Sequence, residues 1–165
     1  MKIIGNPTTY AGNSLKNWPK FVTAFKEAGL DFEVEWTKDV NDATRIVKES
    51  YKDHKIICAY GGDGTVNEVL TGIGQTGFKN TLCILPASRG NDDAFTLQIS
   101  NNLDDMVDML LTKQQRKIDC IEVNKGVRYV IGIVGAGISE AVPEASLGQK
   151  SPGAYMYNLV KNINT

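Results

Sequence analysis

Stretches rich in apolar residues alternate along the chain with stretches in which apolar residues recur every three or four positions. The first kind predicts strands and the second kind predicts helices with one buried face. Predicted strands cover residues 2–5, 32–36, 55–60 and 81–85, and predicted helices cover 15–29, 42–51, 103–111 and a stretch from 66 that frays near Gly72, Gly74 and Gly77. Because strands and helices alternate, the sequence predicts a three-layer α/β domain, with a mostly parallel sheet covered by helices on both faces.

The pattern changes after Lys113. Residues 117–124 alternate, Lys125 and Gly126 form a turn signal, and an apolar strand returns at 127–134, which predicts an antiparallel hairpin in a separate sheet. We therefore predict a nucleotide-binding α/β domain over residues 1–113 and the start of a β-rich second domain over 114–165. A hairpin and a last helix do not close a β-domain, since a two-stranded ribbon is marginal alone. The second domain is thus expected to be incomplete, as in a fragment.

Composition and charge narrow the function classes. Apolar residues make up 42% of the chain and charged residues 22%, and the net charge is −1, so no basic surface predicts a nucleic-acid partner. Cys58, Cys83 and Cys120 lie in apolar stretches and are expected to be buried free thiols, which suits the cytoplasm. The longest apolar run is about half of a membrane span. His54 lies in a charged turn and is expected to be solvated.

Residues 61–65 read Gly-Gly-Asp-Gly-Thr, between a predicted strand and a predicted helix. Without β-carbons the backbone amides can approach a ligand closely, and the positive end of the helix dipole favours an anion such as phosphate. A simpler interpretation is an ordinary turn in which Thr65 caps the helix and Glu68 closes a capping box. That interpretation leaves the three glycines and Asp63 unexplained.

Two other polar loops, 6–14 and 87–93, also follow predicted strands. Loops at the carboxyl ends of parallel strands meet at one edge of the sheet, so the three loops are expected to form one site. The glycine turn is not a Walker A loop, because no Gly-Lys-Ser/Thr follows at the required spacing. It is also a poor dinucleotide fingerprint, because Asn67 occupies the position of the third glycine.

Several motifs together resemble the diacylglycerol kinase catalytic domain family of lipid kinases, which includes sphingosine and ceramide kinases. Residues 61–69 are similar to the family signature almost letter for letter. Residues 3–7 resemble its opening strand and Asn-Pro loop, and 85–92 resemble its Pro-x-Gly-Thr-Gly-Asn-Asp turn. Residues 118–119 and 134–138 resemble the start of its second domain. The chain resembles NAD kinase and phosphofructokinase more remotely.

The resemblance implies ATP-dependent transfer of a phosphoryl group to a lipid hydroxyl, with Mg²⁺ as a cofactor. Asp63 is the predicted catalytic residue, which either holds Mg²⁺ or accepts the proton of the attacking hydroxyl; no further metal ligand is predicted. A lipid substrate such as diacylglycerol is compatible with peripheral contact at a membrane. The predicted nucleotide-binding residues are Asn6, Thr37, Gly61, Gly62, Asp63, Gly64, Thr65, Val66, Asn67, Glu68, Ser88 and Arg89. Among them, Asn6 is expected to tie the loops together, and Glu68 either contacts the ribose or only caps the helix.

The chain departs from the family pattern in its second turn. Ser88 and Arg89 replace a Gly-Thr pair, and Asp93 and Phe95 replace an apolar and a basic residue. Arg89 either donates to a phosphate, obstructs the site, or pairs with Asp92 or Asp93. The family also carries an acidic motif and metal ligands that would lie beyond residue 165. Residues 1–165 alone are therefore expected to bind nucleotide weakly and to catalyse poorly.

Two alternative functions stay open at this point. The first is a kinase for a soluble substrate such as NAD, although the Asn91-Asp92 turn favours the lipid branch. The second is a regulatory protein that binds a nucleotide or a lipid without turnover, which the Ser88-Arg89 pair and the incomplete second domain support.

Overall fold

The computed structural model describes residues 1–132. This part of the chain contains six strands and five α-helices. The strands are β1 (Lys2–Gly5), β2 (Glu33–Trp36), β3 (Ile56–Gly61), β4 (Thr81–Pro86), β5 (Ile121–Val123) and β6 (Arg128–Val130). The helices are α1 (Asn13–Glu27), α2 (Asp42–Ser50), α3 (Asp63–Gln75), α4 (Asp92–Thr96) and α5 (Leu103–Thr112), and a 3₁₀ turn at Thr9–Gly12 precedes α1. The expected helix at the end of the chain and the motif at 134–138 lie outside the described residues.

The first four strands form one parallel sheet in the order β2-β1-β3-β4. Contiguous apolar residues suit this position, since the central strands of a parallel sheet are buried on both faces. Strands β5 and β6 form a separate antiparallel sheet. The predicted α/β class with a parallel sheet is therefore confirmed, and the hairpin lies in a second sheet as expected. The boundary at residue 113 stays a prediction.

Two apolar clusters cover the two faces of the parallel sheet. Side chains of α2, α3 and α4 pack on one face, around Ile4, Ile57 and Ile84. Side chains of α1 and α5 pack on the other face, around Ile3 and Leu85. This second cluster includes an aromatic group formed by Trp18, Phe21, Phe25, Phe32, Trp36 and Tyr60. The two covered faces make the arrangement three-layered.

Helix α3 ends at Gln75, between Gly74 and Gly77, within the range where the sequence predicted fraying. It continues through Gly72 and Gly74, where neighbouring elements approach it closely. A β-carbon at Gly72 would lie 2.6 Å from Cβ of Val47 in α2, and one at Gly74 would overlap the ring of Tyr129 in β6. These glycines are thus packing residues that bring α2 and the hairpin against α3.

Pro19 lies in the interior of α1, because this helix begins at Asn13. One local expectation was wrong. His54 is not solvated: its side chain is 14% exposed, and its Nε2 lies 3.4 Å from a carboxylate oxygen of Glu33. The prediction that the cysteines are buried free thiols agrees better with the structure, since Cys58 and Cys83 are buried and Cys120 is half-buried. No helix within residues 1–132 is both long and apolar enough to cross a membrane.

Candidate nucleotide site

A cavity of about 450 Å³ lies at the carboxyl edge of the parallel sheet. Its walls come from the loops after β1, β2 and β3, so the order of the strands brings together three segments that are distant in sequence. The lining residues are Asn6, Pro7, Thr8, Thr9, Thr37, Lys38, Asp39, Val40, Gly62, Gly64, Thr65 and Glu68. The position agrees with the general rule that open α/β sheets bind ligands at this edge.

The glycine turn provides one wall of the cavity and the beginning of α3. Gly62 occupies the N-cap position with extended backbone, and no side chain in the described part of the chain caps the helix. The capping box expected for Thr65 and Glu68 was therefore wrong, because Thr65 is already the third residue of the helix. Within residues 1–132 no acceptor bonds the amides of Asp63, Gly64 and Thr65. Such amides at the start of a helix favour an anion.

The first two glycines of the turn are required by close packing. A β-carbon at Gly61 would lie 2.5 Å from Oγ1 of Thr65, and one at Gly62 would lie 3.0 Å from Cβ and Oγ of Ser88. Gly64 differs, because within residues 1–132 nothing lies within 4 Å of the position of its β-carbon. The first two glycines therefore fit the turn to its neighbours, and the third leaves open space.

Glu68 connects the glycine turn to the second helix instead of capping its own. Its Oε2 accepts a hydrogen bond from the amide of Ala43 at 3.3 Å, at the start of α2. The hydroxyl of Thr44 donates to the backbone carbonyl of Glu68 at 2.8 Å. The carboxylate of Glu68 is thereby held at the cavity wall.

Asn6 holds the loop after β1 in place, and its expected role in tying the loops together stays a prediction. Its amide donates to the carbonyl of Tyr60 at 3.0 Å, which anchors the loop to β3. Its Oδ1 accepts from the amide and the hydroxyl of Thr8 at 2.9 and 2.8 Å. The hydroxyl of Ser14 donates to the Asn6 carbonyl at 2.9 Å. Asn6 thus orders the loop that lines the cavity.

The loop after β2 contributes three lining residues that sequence reasoning missed, namely Lys38, Asp39 and Val40. The amide of Thr37 donates to the carbonyl of Gly5 at 2.8 Å. At the other end of the loop, Oδ2 of Asp42 accepts from the amide of Lys38 at 2.8 Å. The only sequence signal for Lys38, Asp39 and Val40 was their position between a predicted strand and a predicted helix.

Asp42 also lies beside Arg45, whose Nε donates to Oδ1 of Asp42 at 2.6 Å. This hydrogen bond, followed by the one from the Lys38 amide, lowers the pKa of the Asp42 carboxyl. The carboxylate that closes the loop is therefore kept ionised. Asn41 occupies the N-cap position of α2 with φ 64, and within residues 1–132 its side chain accepts no capping hydrogen bond.

Three aspartates lie at the β4 side of the glycine turn. Oδ1 of Asp63 accepts from the amide of Asp93 at 3.0 Å. The residue Asp93 is 5% exposed, and its Oδ2 has no hydrogen-bond partner within residues 1–132. Burial, with the nearby charges of Asp63 and Asp92, raises the pKa of Asp93 to about 6. In the described part of the chain no three His, Cys, Asp or Glu residues group closely enough to hold a metal ion.

The turn after β4 is held together by side chains. Asn91 has φ 56, its Oδ1 accepts from the amide and the hydroxyl of Ser88 at 3.0 and 2.7 Å, and its Nδ2 donates to the Ser88 carbonyl at 2.8 Å. The guanidinium of Arg89 lies over the ring of Tyr10, 4.7 Å from its centroid. Within residues 1–132 Arg89 forms no ion pair with Asp92, Asp93 or another carboxylate.

The structure separates the predicted binding residues into two groups. Those that line the cavity are Asn6, Thr37, Gly62, Gly64, Thr65 and Glu68. Of the others, Val66 is buried in the core, and Oδ1 of Asn67 accepts from the amide of Ile131 at 3.1 Å. Gly61, Asp63, Ser88 and Arg89 lie in or beside the two turns without lining the cavity. Their individual roles in binding stay predictions.

Comparison with known proteins relates the chain to one protein family. The family model of the diacylglycerol kinase catalytic domain matches residues 1–123. The chain is 33% identical over 138 residues to a diacylglycerol kinase of Bacillus subtilis strain 168, covering 82% of this chain and 45% of that protein. It is 27% identical over 159 residues to one of Staphylococcus aureus strain bovine RF122 / ET3-1, covering 93% and 50%.

A solved structure agrees with both comparisons. The crystal structure of a diacylglycerol kinase from Bacillus anthracis strain Sterne superposes with a TM-score of 0.67 at 27% identity, covering 78% of this chain and 46% of that one. The chain spans about half the length of the curated relatives it matches. With a family match over most of its residues, the chain belongs to the diacylglycerol kinase catalytic domain family.

Proposed function

We propose that the chain binds ATP in the cavity and serves phosphoryl transfer to the hydroxyl of a lipid such as diacylglycerol. The observation that carries this proposal is the cavity at the ends of β1, β2 and β3, with the uncapped start of α3 in its wall. Phosphoryl transfer depends mainly on positioning and on neutralising charge. The backbone amides of Asp63, Gly64 and Thr65, which have no acceptor within residues 1–132, supply both for a phosphate group.

The aspartates beside the turn fit a magnesium ion that is shared with phosphates. Oδ2 of Asp63 and Oδ1 of Asp92 lie 3.7 and 3.9 Å from one point, the position that a β-carbon on Gly90 would take. Mg²⁺ in nucleotide sites is commonly held by one or two carboxylates together with phosphate oxygens. Asp63 and Asp92 are therefore the residues that would hold it, and the ion would neutralise phosphate charge. The alternative role of Asp63, as acceptor of the proton of the lipid hydroxyl, is also compatible with this position.

The lipid acceptor is proposed from the family rather than from the cavity. The two curated relatives described above are named diacylglycerol kinases. The Asn91-Asp92 pair, which resembles the lipid branch of the family, also favours a lipid over a soluble acceptor such as NAD. Radiolabel transfer from ATP to a panel of lipids and to NAD, using a longer protein that contains this chain, would identify the acceptor.

Calorimetry with ATP and Mg²⁺ tests the nucleotide part of the proposal on the 165-residue chain. Wild type is expected to bind, Gly62→Val is expected to lose binding, and Asp63→Asn is expected to weaken binding in the presence of Mg²⁺. Asp108→Asn, on an exposed turn of α5, is the matched control and should bind like wild type. Equal binding by Gly62→Val and wild type would count against a site at the glycine turn.

A further inference from the structure

The contact between Arg89 and Tyr10 joins two loops that do not follow neighbouring strands. Tyr10 lies in the loop after β1, and Arg89 lies in the loop after β4. The order β2-β1-β3-β4 places β3 between them. The two side chains therefore meet across the end of β3, where the glycine turn begins. Neighbouring strands are about 4.8 Å apart, so the span is close to two strand spacings.

The guanidinium of Arg89 keeps its hydrogen-bonding capacity in this contact. It lies over an aromatic face at 4.7 Å, which is a cation–π distance. Within residues 1–132 no oxygen accepts a hydrogen bond from the Arg89 side chain, and Arg89 is exposed. An arginine carries five N–H donors in its plane, and an aromatic ring below the plane leaves them accessible. The contact thus orients the side chain without using its donors.

Carboxylates lie close to the backbone of Gly90, the residue that follows Arg89: the position of a β-carbon there is 3.7 Å from Oδ2 of Asp63 and 3.9 Å from Oδ1 of Asp92. Asp63, Asp92 and Asp93 lie at the same side of the glycine turn, and each of the first two raises the pKa of the third. A polyphosphate that reaches this side meets repulsion from the carboxylates. A positive charge held over the turn reduces that repulsion and also offers paired donors to phosphate oxygens.

The direction of a bound nucleotide follows from the order of the loops. The cavity extends from the loop after β2 to the glycine turn after β3, and Arg89 lies one strand farther, at β4. A nucleotide whose base and ribose fill the cavity would extend its phosphates across the glycine turn towards β4. The phosphate farthest from the ribose then comes nearest to Arg89.

We propose that Arg89, oriented by the ring of Tyr10, binds the terminal phosphate of the nucleotide and makes the site select a nucleoside triphosphate over a monophosphate. This inference rests on the proposed nucleotide function and names the residue that recognises the polyphosphate end. The family pattern has a threonine in place of Arg89, so the contact belongs to this chain rather than to the signature.

Calorimetric titration of the 165-residue chain with the Mg²⁺ salts of ATP and ADP, and with AMP, tests the inference. Arg89→Gln is expected to weaken ATP binding about ten- to one-hundredfold, the effect of losing a charge-assisted hydrogen bond, and to change AMP binding less than about twofold. Arg128→Gln removes an exposed guanidinium from the hairpin and is the matched control, with all affinities within about twofold of wild type.

Two variants of Tyr10 separate the ring from its hydroxyl, which bonds to nothing within residues 1–132. Tyr10→Leu is expected to weaken ATP binding about threefold and to leave AMP binding unchanged, whereas Tyr10→Phe retains the ring and restores the ATP affinity. Circular dichroism confirms that each variant is folded.

Three results would overturn the inference. They are an unchanged ATP affinity in Arg89→Gln, an equal loss for ATP and AMP, or a gain in ATP affinity, which would mean that the side chain obstructs the site. If wild type binds ATP and one of these results is found, only the inference fails. If wild type does not bind ATP, the inference and the proposed nucleotide function fail together.

Discussion

The turns after β3 and β4 begin alike and are stabilised in different ways. Both follow a buried parallel strand and lead into a helix. The first, at residues 61–65, is built from glycines, and its amides have no acceptor within residues 1–132. The second, at 87–93, is built from side-chain contacts of Ser88, Asn91 and Arg89. The first turn therefore offers its backbone to a ligand, whereas the second uses its backbone internally and offers a side chain.

The largest expected effect on stability is a difference between two glycines of the first turn. Gly61→Ala should lower the free energy of unfolding by about 1–3 kcal/mol, because its β-carbon would lie 2.5 Å from Oγ1 of Thr65. Gly64→Ala is the matched control, since no atom of the described residues lies within 4 Å of the position of its β-carbon. It should raise stability by up to about 1 kcal/mol, as expected for alanine in a helix. Urea denaturation of both variants measures the difference, and equal effects would show that close packing does not explain the glycine at position 61.

The second turn should lose stability when its side-chain contacts are removed. Asn91→Ala removes the acceptor for the amide and hydroxyl of Ser88 and places alanine at φ 56. The expected loss is about 2 kcal/mol in the free energy of unfolding. Asn91→Gly retains a residue that tolerates this backbone and should lose about 1 kcal/mol less. If the two variants are equally stable, the side-chain contacts account for the whole effect and the backbone conformation contributes nothing.

A smaller, pH-dependent effect on stability comes from Asp93, at the end of the second turn. Its pKa is raised from 3.8 to about 6 in the folded protein, so its protonated form is favoured there. The stability that it contributes is complete below pH 3.8 and is lost as the pH rises through about 6. Asp93→Asn should therefore stabilise the fold above pH 6, by on the order of 1–2 kcal/mol. Below pH 4 it should change stability little.

Denaturation of Asp93→Asn and wild type between pH 4 and pH 8 measures this difference. Asp108→Asn, which removes an exposed carboxylate from α5, should give a nearly pH-independent difference. A constant offset for Asp93→Asn across the range would mean that Asp93 is ionised equally in the folded and unfolded chains.

The difference between the turns after β3 and β4 also explains which features could be predicted from the sequence. The glycine turn could be predicted, because a strand pattern, three glycines and a helical pattern of apolar residues are local signals in the sequence. Its cap was misread: Thr65 is a good capping residue, but the packing of Ser88 on Gly62 sets where α3 begins. The second turn was less readable, since the contact of Arg89 with Tyr10 depends on the order of the strands.

Packing between distant segments also limited the prediction of helices and surfaces. Gly72 is a weak helix former by its intrinsic propensity, yet α3 continues through it because Val47 packs against it. His54 is covered through its contact with Glu33 of β2, which nothing in its own charged turn indicates. Lys38 and its two neighbours line the cavity because Asp42 closes their loop.

The central claim is that the glycine turn binds phosphate through its backbone amides. Titration of ¹⁵N-labelled chain with ATP and Mg²⁺, followed by amide chemical shifts, tests it most directly. Large, saturable chemical-shift changes are expected for the amides of Asp63, Gly64 and Thr65, and a small change is expected for the amide of Lys125 in the hairpin turn. Unchanged shifts at those three amides, when other signals show that ATP is bound, would contradict it.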